Sequence, residues 1–439
     1  MSKRISLLLS LFLFASVVLT ACAPTTVATQ APTAIPSAVV TQAPAATSTA
    51  AAGAEPVTIS YAIWDNNQLP AHQQIIAAFE AKNPNIKVTV EVVPWGDYWT
   101  KLLTAVSGGE AYDTFWMNGP NFPVYASKGV LMDLQDRITQ DNIDMTKYPE
   151  SLVKLYSYKD HVYGLPKDFD TIGLFYNKDL FDKAGVAYPT GDWTWDDLAK
   201  AAEQLSDPAN GVWGLAVPGE QTGYWNFVYQ NGGALLAPDG NSVMVDQPAD
   251  CEAITFLYDT MKAGYMPDAA TTASMDQNTQ LFPGGKIAMI TAGSWAAKSF
   301  STADFQLGVA PLPKKVKQAT IIHGLSNVVW SGTKHPEEAW TFVKFLGSEE
   351  AANILAESGT VIPAYQGMQD KWVKSMPNLD LKVFIDAITY SVPYPTSSKG
   401  TEWSDKMFAV MQDVWLGNTP IAEGCKSMAD SANAVLSQP

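Results

Sequence analysis

Hydrophobic residues recur along the chain with two different periods, and segments with one period follow segments with the other. Residues 57–64 are rich in β-branched and aromatic side chains, and residues 86–92 alternate between hydrophobic and polar positions, so both segments are predicted strands. Hydrophobic residues at helical spacing follow each of them, at 75–79 and 99–106. Strands that alternate with helices predict parallel sheets covered by helices.

Later parts of the chain show the same alternation. Residues 172–176 form a hydrophobic run that is typical of a strand. Thr194 and Asp197 have the spacing of a capping box, and hydrophobic positions continue at helical spacing to Leu205, which predicts a helix. Pro336 has the position expected in the first turn of another helix. The chain is therefore predicted to have an α/β fold.

The length predicts more than one folded unit. The chain has 439 residues, whereas single hydrophobic cores stop growing at roughly 250–300 residues. Hydrophobic residues make up 47% of the chain and charged residues 16%, which is ordinary for a folded protein. We expect two lobes.

The first residues have the pattern of a secretory signal. Lys3 and Arg4 precede a hydrophobic stretch at 5–19, which is too short to be a comfortable membrane span. The sequence at 19–22 resembles the lipobox of bacterial lipoproteins, and this resemblance implies that Cys22 becomes the lipidated first residue of the mature chain. The alternative is an ordinary signal followed by a chance cysteine. We expect 1–21 to be a lipoprotein signal peptide, with the rest of the chain outside the cytoplasm and anchored to the cell membrane.

Residues 22–56 are predicted to be a disordered tether behind the lipidated cysteine. From 23 to 54 the sequence is dominated by Ala, Pro, Thr, Val, Gln and Ser and carries no charge, so it cannot bury enough side chain to fold. Four prolines favour extended conformations, and a polyproline-like form at about 3.1 Å per residue would reach at most roughly 100 Å. The folded part could then search the space above the membrane.

Charge and motifs exclude several classes of function. The chain has 28 Lys and Arg against 44 Asp and Glu, a formal charge of -16, which disfavours nucleic acid and weighs against phosphorylated or carboxylate ligands. Residues 324–328 lack the second glycine of a nucleophile elbow, and 282–286 lack the earlier glycine of a phosphate loop. The four histidines show no metal-binding spacing. We expect no enzymatic activity, no metal site and no cofactor.

Two cysteines remain after Cys22 is assigned to lipid. Cys251 and Cys425 would lie in a compartment in which disulfides persist. They either form a disulfide or stay as two separate buried thiols, and the sequence leaves both possibilities open.

Aromatic residues next to polar ones are the main indication of a ligand. The chain has 14 Trp and 17 Tyr. Sugar rings present flat C–H faces and hydroxyl edges, so their sites need aromatic platforms together with planar hydrogen-bonding side chains. For any single Trp, packing in the core is the alternative role. The aromatic candidates with polar neighbours are Trp64 beside Asp65 and Asn66, Trp116 beside Asn118, Tyr224 and Trp225 beside Asn226, and Trp295 beside Ser294.

Eight short segments together carry a family resemblance through their order along the chain. They are 62–64, 115–119, 125–131, 163–166, 175–181, 282–289, 293–295 and 339–346. In this order they resemble the maltose-binding-protein-like family 1 extracellular solute-binding proteins of bacterial ABC sugar importers. The resemblance runs over about 57–417, nearly all of the folded chain.

This resemblance implies two α/β lobes, each a mostly parallel sheet flanked by helices, with a hinge and a ligand cleft between them. The implied first lobe is 57–167 plus about 312–355, the second is 168–311 plus about 356–439, and the crossings lie near 167–170, 311–320 and 356–363.

The resemblance also assigns roles to single residues. Trp116 matches a first-lobe aromatic, Asp170 a hinge carboxylate, Trp295 a second-lobe platform and Trp403 an aromatic before the closing helices. The candidate ligand-binding residues are Trp64, Asp65, Asn66, Trp116, Asn118, Asp168, Asp170, Tyr224, Trp225, Trp295, Asn327 and Trp403.

The function that the resemblance implies is capture of a sugar or small oligosaccharide by a monomeric protein, for delivery to the separate permease subunits of an importer. One alternative is a secreted glycoside hydrolase, whose two carboxylates could come from Asp65, Asp168 and Asp170. Another is the same fold with a glycerol phosphate ester or polyamine as ligand. A phosphate would require cations, for which Lys167 and Lys298 are the candidates, because Arg137 is the only arginine after the signal.

Overall fold

The computed structural model describes residues 55–274 and 276–438. The predicted signal peptide, Cys22 and the tether up to residue 54 lie outside the described residues. Within the described part of the chain, no helix combines the length and the hydrophobicity that a membrane crossing requires.

Strands and helices both occur along the whole length of the described chain. The strands are β1 (Val57–Ile63), β2 (Ile86–Val92), β3 (Thr114–Asn118), β4 (Ser157–Tyr158), β5 (His161–Val162), β6 (Gly164–Pro166), β7 (Asp168–Asn177), β8 (Trp213–Ala216), β9 (Ile287–Gly293), β10 (Leu307–Ala310), β11 (Thr320–His323), β12 (Leu325–Val329), β13 (Ile362–Pro363) and β14 (Ser391–Pro393). The α-helices are α1 (Leu69–Lys82), α2 (Trp95–Gly108), α3 (Phe122–Ser127), α4 (Gln135–Gln140), α5 (Glu150–Leu155), α6 (Lys178–Ala184), α7 (Trp195–Leu205), α8 (Trp225–Gln230), α9 (Pro248–Lys262), α10 (Ala269–Ser274), α11 (Ala297–Phe300), α12 (Pro336–Leu346), α13 (Glu349–Ser358), α14 (Gln369–Lys374), α15 (Lys382–Asp386), α16 (Glu402–Trp415) and α17 (Ile421–Leu436).

Short helical turns complete the secondary structure. They are the 3-10 turns Met145–Lys147, Pro208–Asn210, Ser294–Ala296 and Ala387–Tyr390 and the π-helical turns Glu220–Tyr224 and Gln277–Leu281.

The first of the two large sheets has the strand order β2-β1-β3-β12-β6. Strands β2 and β3 run parallel to β1, as the alternating pattern predicts. Strand β12 is antiparallel to both of its neighbours. The carboxyl ends of β1, β2 and β3 therefore meet at one edge of this sheet.

The second sheet is organised around the ten-residue strand β7, which is buried along its whole length. Its order is β14-β11-β7-β9-β8, and β10 and β13 also pair with β7. All four partners of β7 are antiparallel to it, whereas the β8–β9 and β11–β14 pairs are parallel.

Both sheets are mixed, so the expectation of mostly parallel sheets is wrong in this detail. The physical reason lies in the two strands that enter from the hinge. Strand β7 follows the first sheet after Lys167 alone, and β12 follows the second sheet after Gly324 alone. Each starts at the hinge and runs away from it, opposite to the strands whose carboxyl ends point towards the hinge.

The second crossing lies later in the chain than 311–320. Strand β11 (Thr320–His323) pairs with β7 in the second sheet, and the chain changes sheet at Gly324, so the first lobe resumes there rather than near residue 312. The close approach of two crossing segments explains the glycine, because a Cβ at Gly324 would lie 2.4 Å from the backbone oxygen of Asp168. The third crossing lies between α13 and β13, at 359–361.

The local signals in the sequence correspond to observed helix starts. Thr194 caps α7 in a capping box with Asp197, and the buried face of this helix includes Leu198 and Leu205. Pro336 begins α12. Both predictions are confirmed. The sequence alone could predict these starts, because capping and periodicity depend on neighbours close in sequence.

A disulfide joins Cys251 to Cys425, which resolves the two possibilities that the sequence left open. Cys251 lies near the start of α9 and Cys425 near the start of α17. The bond ties the last helix of the chain to the body of the second lobe.

Candidate functional site

A cleft with a cavity volume of about 930 Å³ lies between the two sheets. Its lining comes from the loops at the carboxyl ends of β1, β2, β3 and β9, from the hinge strands, and from the start of α16. This is the position at which open α/β sheets bind ligands. The cleft is therefore the candidate binding site.

Three tryptophans form the aromatic wall of the cleft on the first lobe. Trp64 follows β1, and Trp95 and Trp99 lie in the first turns of α2. Trp64 meets Trp95 edge to face, with 5.3 Å between ring centroids. Trp95 keeps 53% of its surface exposed, which is unusual for so large an apolar side chain. Such an exposed ring is available to stack on a ligand.

The polar groups of the first wall come from the loop after β1 and the loop after β3. Asp65 accepts hydrogen bonds from the backbone of Asn67 at 2.9 Å and from the Gln68 amide at 2.9 Å. Asn118 accepts from the Asn121 amide at 3.0 Å. All five residues line the cleft. These mutual bonds orient carboxylate and amide groups towards the cavity.

Asp168 lies at the bottom of the cleft, in the first hinge crossing. Its carboxylate accepts a hydrogen bond from the backbone N–H of Leu325 at 2.9 Å and forms a buried ion pair with Lys167. The Lys167 ammonium also donates to Gln68 at 2.8 Å and lies 4.1 Å from the Trp116 ring centroid. The Lys167 ammonium is thus engaged by neighbours within the described part of the chain.

Asp170 is the second hinge carboxylate, and it faces His323 from the second crossing. Gln221 donates to one Asp170 oxygen at 2.8 Å, and the other oxygen lies 3.6 Å from His323 Nδ1. Because His323 Nε2 accepts the backbone N–H of Gly119 at 3.1 Å, the proton of the neutral ring lies on Nδ1 and faces Asp170. Burial raises the pKa of the Asp170 carboxyl.

Trp295 lies on the second-lobe side of the cleft. It follows β9 in the turn Ser294–Ala296 and lines the cleft opposite the tryptophans of the first wall. Its ring lies directly over Gly293, where an added Cβ would be 2.0 Å from Trp295 Cζ3. The glycine is therefore what allows the ring to lie flat against the end of the strand.

Two further carboxyl groups line the second-lobe side of the cleft. Glu220 begins a π-helical turn, and Asp405 lies in the first turn of α16. Burial, together with the nearby Asp405 carboxyl, raises the pKa of Glu220 to about 8. One Glu220 oxygen is buried without a hydrogen-bond partner among the described residues. At neutral pH this carboxyl can donate a hydrogen bond.

Two candidates from the first sheet lie below the cleft instead of in it. Trp116 is fully buried in β3, where its indole N–H donates to the Tyr61 hydroxyl at 2.6 Å. Tyr61 in turn donates to Asn327 at 2.9 Å. The predictions that Trp116 and Asn327 contact the ligand are both wrong, and for the same reason. Both side chains are hydrogen-bonded to Tyr61 inside the core. Asn66 is exposed beside the cleft, and its neighbours Asn67 and Gln68 line it instead.

Three candidates from the second lobe are also outside the cleft. Trp225 and Trp403 are buried and stack on each other, with 5.8 Å between centroids and an interplanar angle of 15°. Tyr394 covers Trp225 edge to face at 5.1 Å and itself lines the cleft. Tyr224 is buried and lines a separate cavity. The stacked pair is therefore a support beneath Tyr394.

The structure thus brings six candidates together in the cleft and adds residues that sequence reasoning missed. The six are Trp64, Asp65, Asn118, Asp168, Asp170 and Trp295. The missed residues include Trp95, Trp99, Gln68, Gln221, Glu220, His323, Tyr394 and Asp405. Trp95 carried a usable signal, because it follows the end of a predicted strand directly after Pro94.

The lining contains no cationic side chain of the lysine or arginine type among the described residues. The described residues also contain no group of three or more His, Cys, Asp or Glu side chains that could hold a metal ion. The cleft can therefore offer stacking surfaces, carboxyl groups and amides, but no guanidinium or ammonium group aimed at an anion.

Comparisons with known proteins match this geometry. The model of the family of bacterial extracellular solute-binding proteins matches residues 65–353. A maltotriose-binding protein of Pyrococcus abyssi is 26% identical over 360 residues, which cover 79% of this chain and 76% of the relative.

Among the solved structures that resemble this chain, two match it over most of their length. An ABC substrate-binding protein from Listeria monocytogenes, in complex with cycloalternan, is 30% identical with a TM-score of 0.83, covering 87% of this chain and 99% of that one. An ABC transporter solute-binding protein from Thermotoga lettingae, bound with alpha-D-tagatose, is 26% identical with a TM-score of 0.78, covering 87% and 100%.

Proposed function

The chain belongs to the family of bacterial extracellular solute-binding proteins, and we propose that it captures a sugar or small oligosaccharide outside the cytoplasm and delivers it to the permease of an ABC importer. The observation that carries the proposal is the composition of the cleft. Aromatic side chains line it on both lobes, carboxyl and amide groups lie between them, and no lysine or arginine is among its described lining residues.

This combination suits a neutral polyhydroxylated ligand. The faces of a sugar ring stack on tryptophan, and its hydroxyls pair with groups such as Asp65, Asn118 and Asp170. A phosphate ester would need compensating cations, but Lys167 is already paired with Asp168, and Lys298 does not line the cleft. A saccharide is therefore favoured over a phosphorylated solute. The names of similar proteins, which include maltotriose and cycloalternan as ligands, support the same class.

Binding and delivery are coupled through the hinge. The two sheets are connected through Lys167, Gly324 and residues 359–361. A sugar that contacts Trp64 on one wall and Trp295 on the other stabilises the closed form through contacts that the open form lacks. The permease would then recognise the closed form. The lipid on Cys22 would keep the protein at the membrane, as a monomer on a tether.

The proposal is tested by titrating the purified protein with a panel of neutral mono- and oligosaccharides, and with glycerol phosphate and spermidine as comparison ligands. Tryptophan fluorescence reports binding, because Trp64, Trp95, Trp99 and Trp295 line the cleft. We expect a saturable change with at least one neutral sugar and none with the comparison ligands. A response confined to glycerol phosphate or spermidine would contradict the sugar assignment. Release of reducing ends from an oligosaccharide would instead indicate a hydrolase.

A further inference from the structure

The turn Glu220–Tyr224 carries three side chains that line the cleft. They are Glu220, Gln221 and Thr222. The backbone of Gly223, inside this turn, departs from helical geometry, with φ -120° and ψ -122°, so regular helical hydrogen bonds do not continue through the turn. The position of these three side chains therefore depends on contacts between the turn and groups outside it.

Asn226 makes such contacts with both ends of its side-chain amide. Its Nδ2 donates to the backbone oxygen of Gln221 at 2.7 Å and to that of Gly223 at 3.0 Å. Its Oδ1 accepts the backbone N–H of Ile321, in strand β11, at 2.9 Å. The side chain is fully buried, so a lost partner is not replaced by water without cost. Asn226 thereby ties the turn to β11.

Asp170 is held between the same two elements. Gln221, from the turn, donates to one of its carboxylate oxygens at 2.8 Å. His323, the last residue of β11, faces the other oxygen, with Nδ1 at 3.6 Å. Because Asn226 connects the turn to β11, it fixes the distance between the two groups that face Asp170. A carboxylate that is held from both sides presents its remaining lone pairs to the cleft in one orientation.

We propose that Asn226 is a positioning residue for sugar binding: it holds the turn Glu220–Tyr224 against β11 and, through Gln221, orients Asp170 towards the ligand. This inference rests on the proposed function. It extends that function to a residue that does not line the cleft and acts only through the groups that do.

Gln230 provides a matched control, because it lies one turn further along α8 and its amide is also fully buried. It accepts a hydrogen bond from Trp195 at 2.7 Å and donates to the backbone oxygen of Ala319, next to β11, at 3.1 Å. It does not line the cleft. Asn226→Asp and Gln230→Glu each replace a donating NH2 group by an oxygen in a side chain of the same shape. Both changes should lower stability, but only Asn226→Asp releases the turn.

The experiment measures the dissociation constant of a sugar that binds in the panel, with thermal unfolding recorded for each variant. Asn226→Asp should weaken binding about tenfold or more, the loss that corresponds to one hydrogen bond to a charged group, whereas Gln230→Glu should bind as the wild type does. Asn226→Ser, whose side chain is too short to reach both partners, is a second variant with the same expectation. The effects of Asn226→Asp and Gln221→Ala should add to less than their sum, because both act on Asp170.

A ligand-free arm separates this test from that of the proposed function. Hydrogen exchange of residues 219–225 should be faster in Asn226→Asp than in the wild type and unchanged in Gln230→Glu. Unchanged exchange in Asn226→Asp would overturn the inference even if sugars bind. Wild-type affinity in Asn226→Asp, or an equal loss of affinity in Gln230→Glu, would also overturn it while leaving sugar capture intact. If no sugar of the panel bound the wild type, the proposed function would fail, and the role of Asn226 in binding with it, whatever the exchange comparison gave.

Discussion

Replacing Gly293 by alanine should weaken sugar binding by displacing Trp295. The backbone at Gly293 has φ -77° and ψ 159°, which alanine adopts without strain. The added Cβ, however, would lie 2.0 to 2.3 Å from three atoms of the Trp295 ring. The ring must therefore leave its position at the end of β9. The change alters the site through a single steric contact.

The magnitude follows from what the platform contributes. Truncating a central aromatic anchor commonly costs about 2 kcal/mol or more, which corresponds to roughly thirtyfold in dissociation constant. Trp295→Ala should approach that loss of affinity. Gly293→Ala should weaken sugar binding by at least about tenfold. Because Gly293→Ala acts through the ring, it should add little once the ring is absent. The double variant should therefore bind like Trp295→Ala alone, a strongly non-additive cycle.

The assay is calorimetric titration of a sugar that binds the wild type, with thermal unfolding as a check on folding. Gly108→Ala is the matched control, since a Cβ there meets nothing within 4 Å and the residue does not line the cleft. This control should bind as the wild type does. The reasoning is refuted if Gly293→Ala retains wild-type affinity, or if its effect adds in full to that of Trp295→Ala.

Three further predictions concern the disulfide, a buried carboxyl and the membrane anchor. Replacing Cys251 and Cys425 by serine should lower the free energy of unfolding by up to about 5 kcal/mol, since the bond closes a separation of 174 residues; two free thiols in the non-reduced protein would contradict it. Because the folded pKa of Glu220 is raised to about 8 from 4.5, its contribution to stability is complete below about pH 4.5 and is lost as the pH rises through about 8. The free energy of unfolding, measured with urea, should therefore fall less steeply with pH in Glu220→Gln than in the wild type, by at most about 1.4 kcal/mol per pH unit. Identical slopes of unfolding free energy against pH in the two proteins would refute this. Cys22→Ala should move the protein from the membrane to the soluble fraction, and unchanged membrane association would contradict lipidation.

Features that depend on neighbours in sequence could be predicted from the sequence. The capping box at Thr194 and the strand Ile86–Val92 follow from spacing alone. The mixed pairing of the sheets could not be predicted this way, because it depends on which strands enter from the hinge. The chain passes from the second sheet to the first at a single residue, Gly324. No run of hydrophobic positions marks such a point.

The candidate site was predicted only in part, because residue type does not tell which side of an element faces the cleft. Strand β3 is buried at every position, so Trp116 points into a core although its neighbour Asn118 reaches the cleft. Trp403 and Asp405 lie two positions apart on α16, and only Asp405 lines the cavity. The sequence shows Glu220 only as an acidic residue next to a glycine, and the fold alone shows that one of its carboxyl oxygens is buried.

The most direct test of the central claim is a crystal structure of the protein grown with the tightest-binding neutral sugar of the panel. We predict a sugar ring packed against Trp295 in the cleft, with hydroxyls within hydrogen-bonding distance of Asp65, Asn118 or Asp170. A sugar bound outside this cleft, or held in it without contact to any aromatic side chain of either wall, would contradict the account.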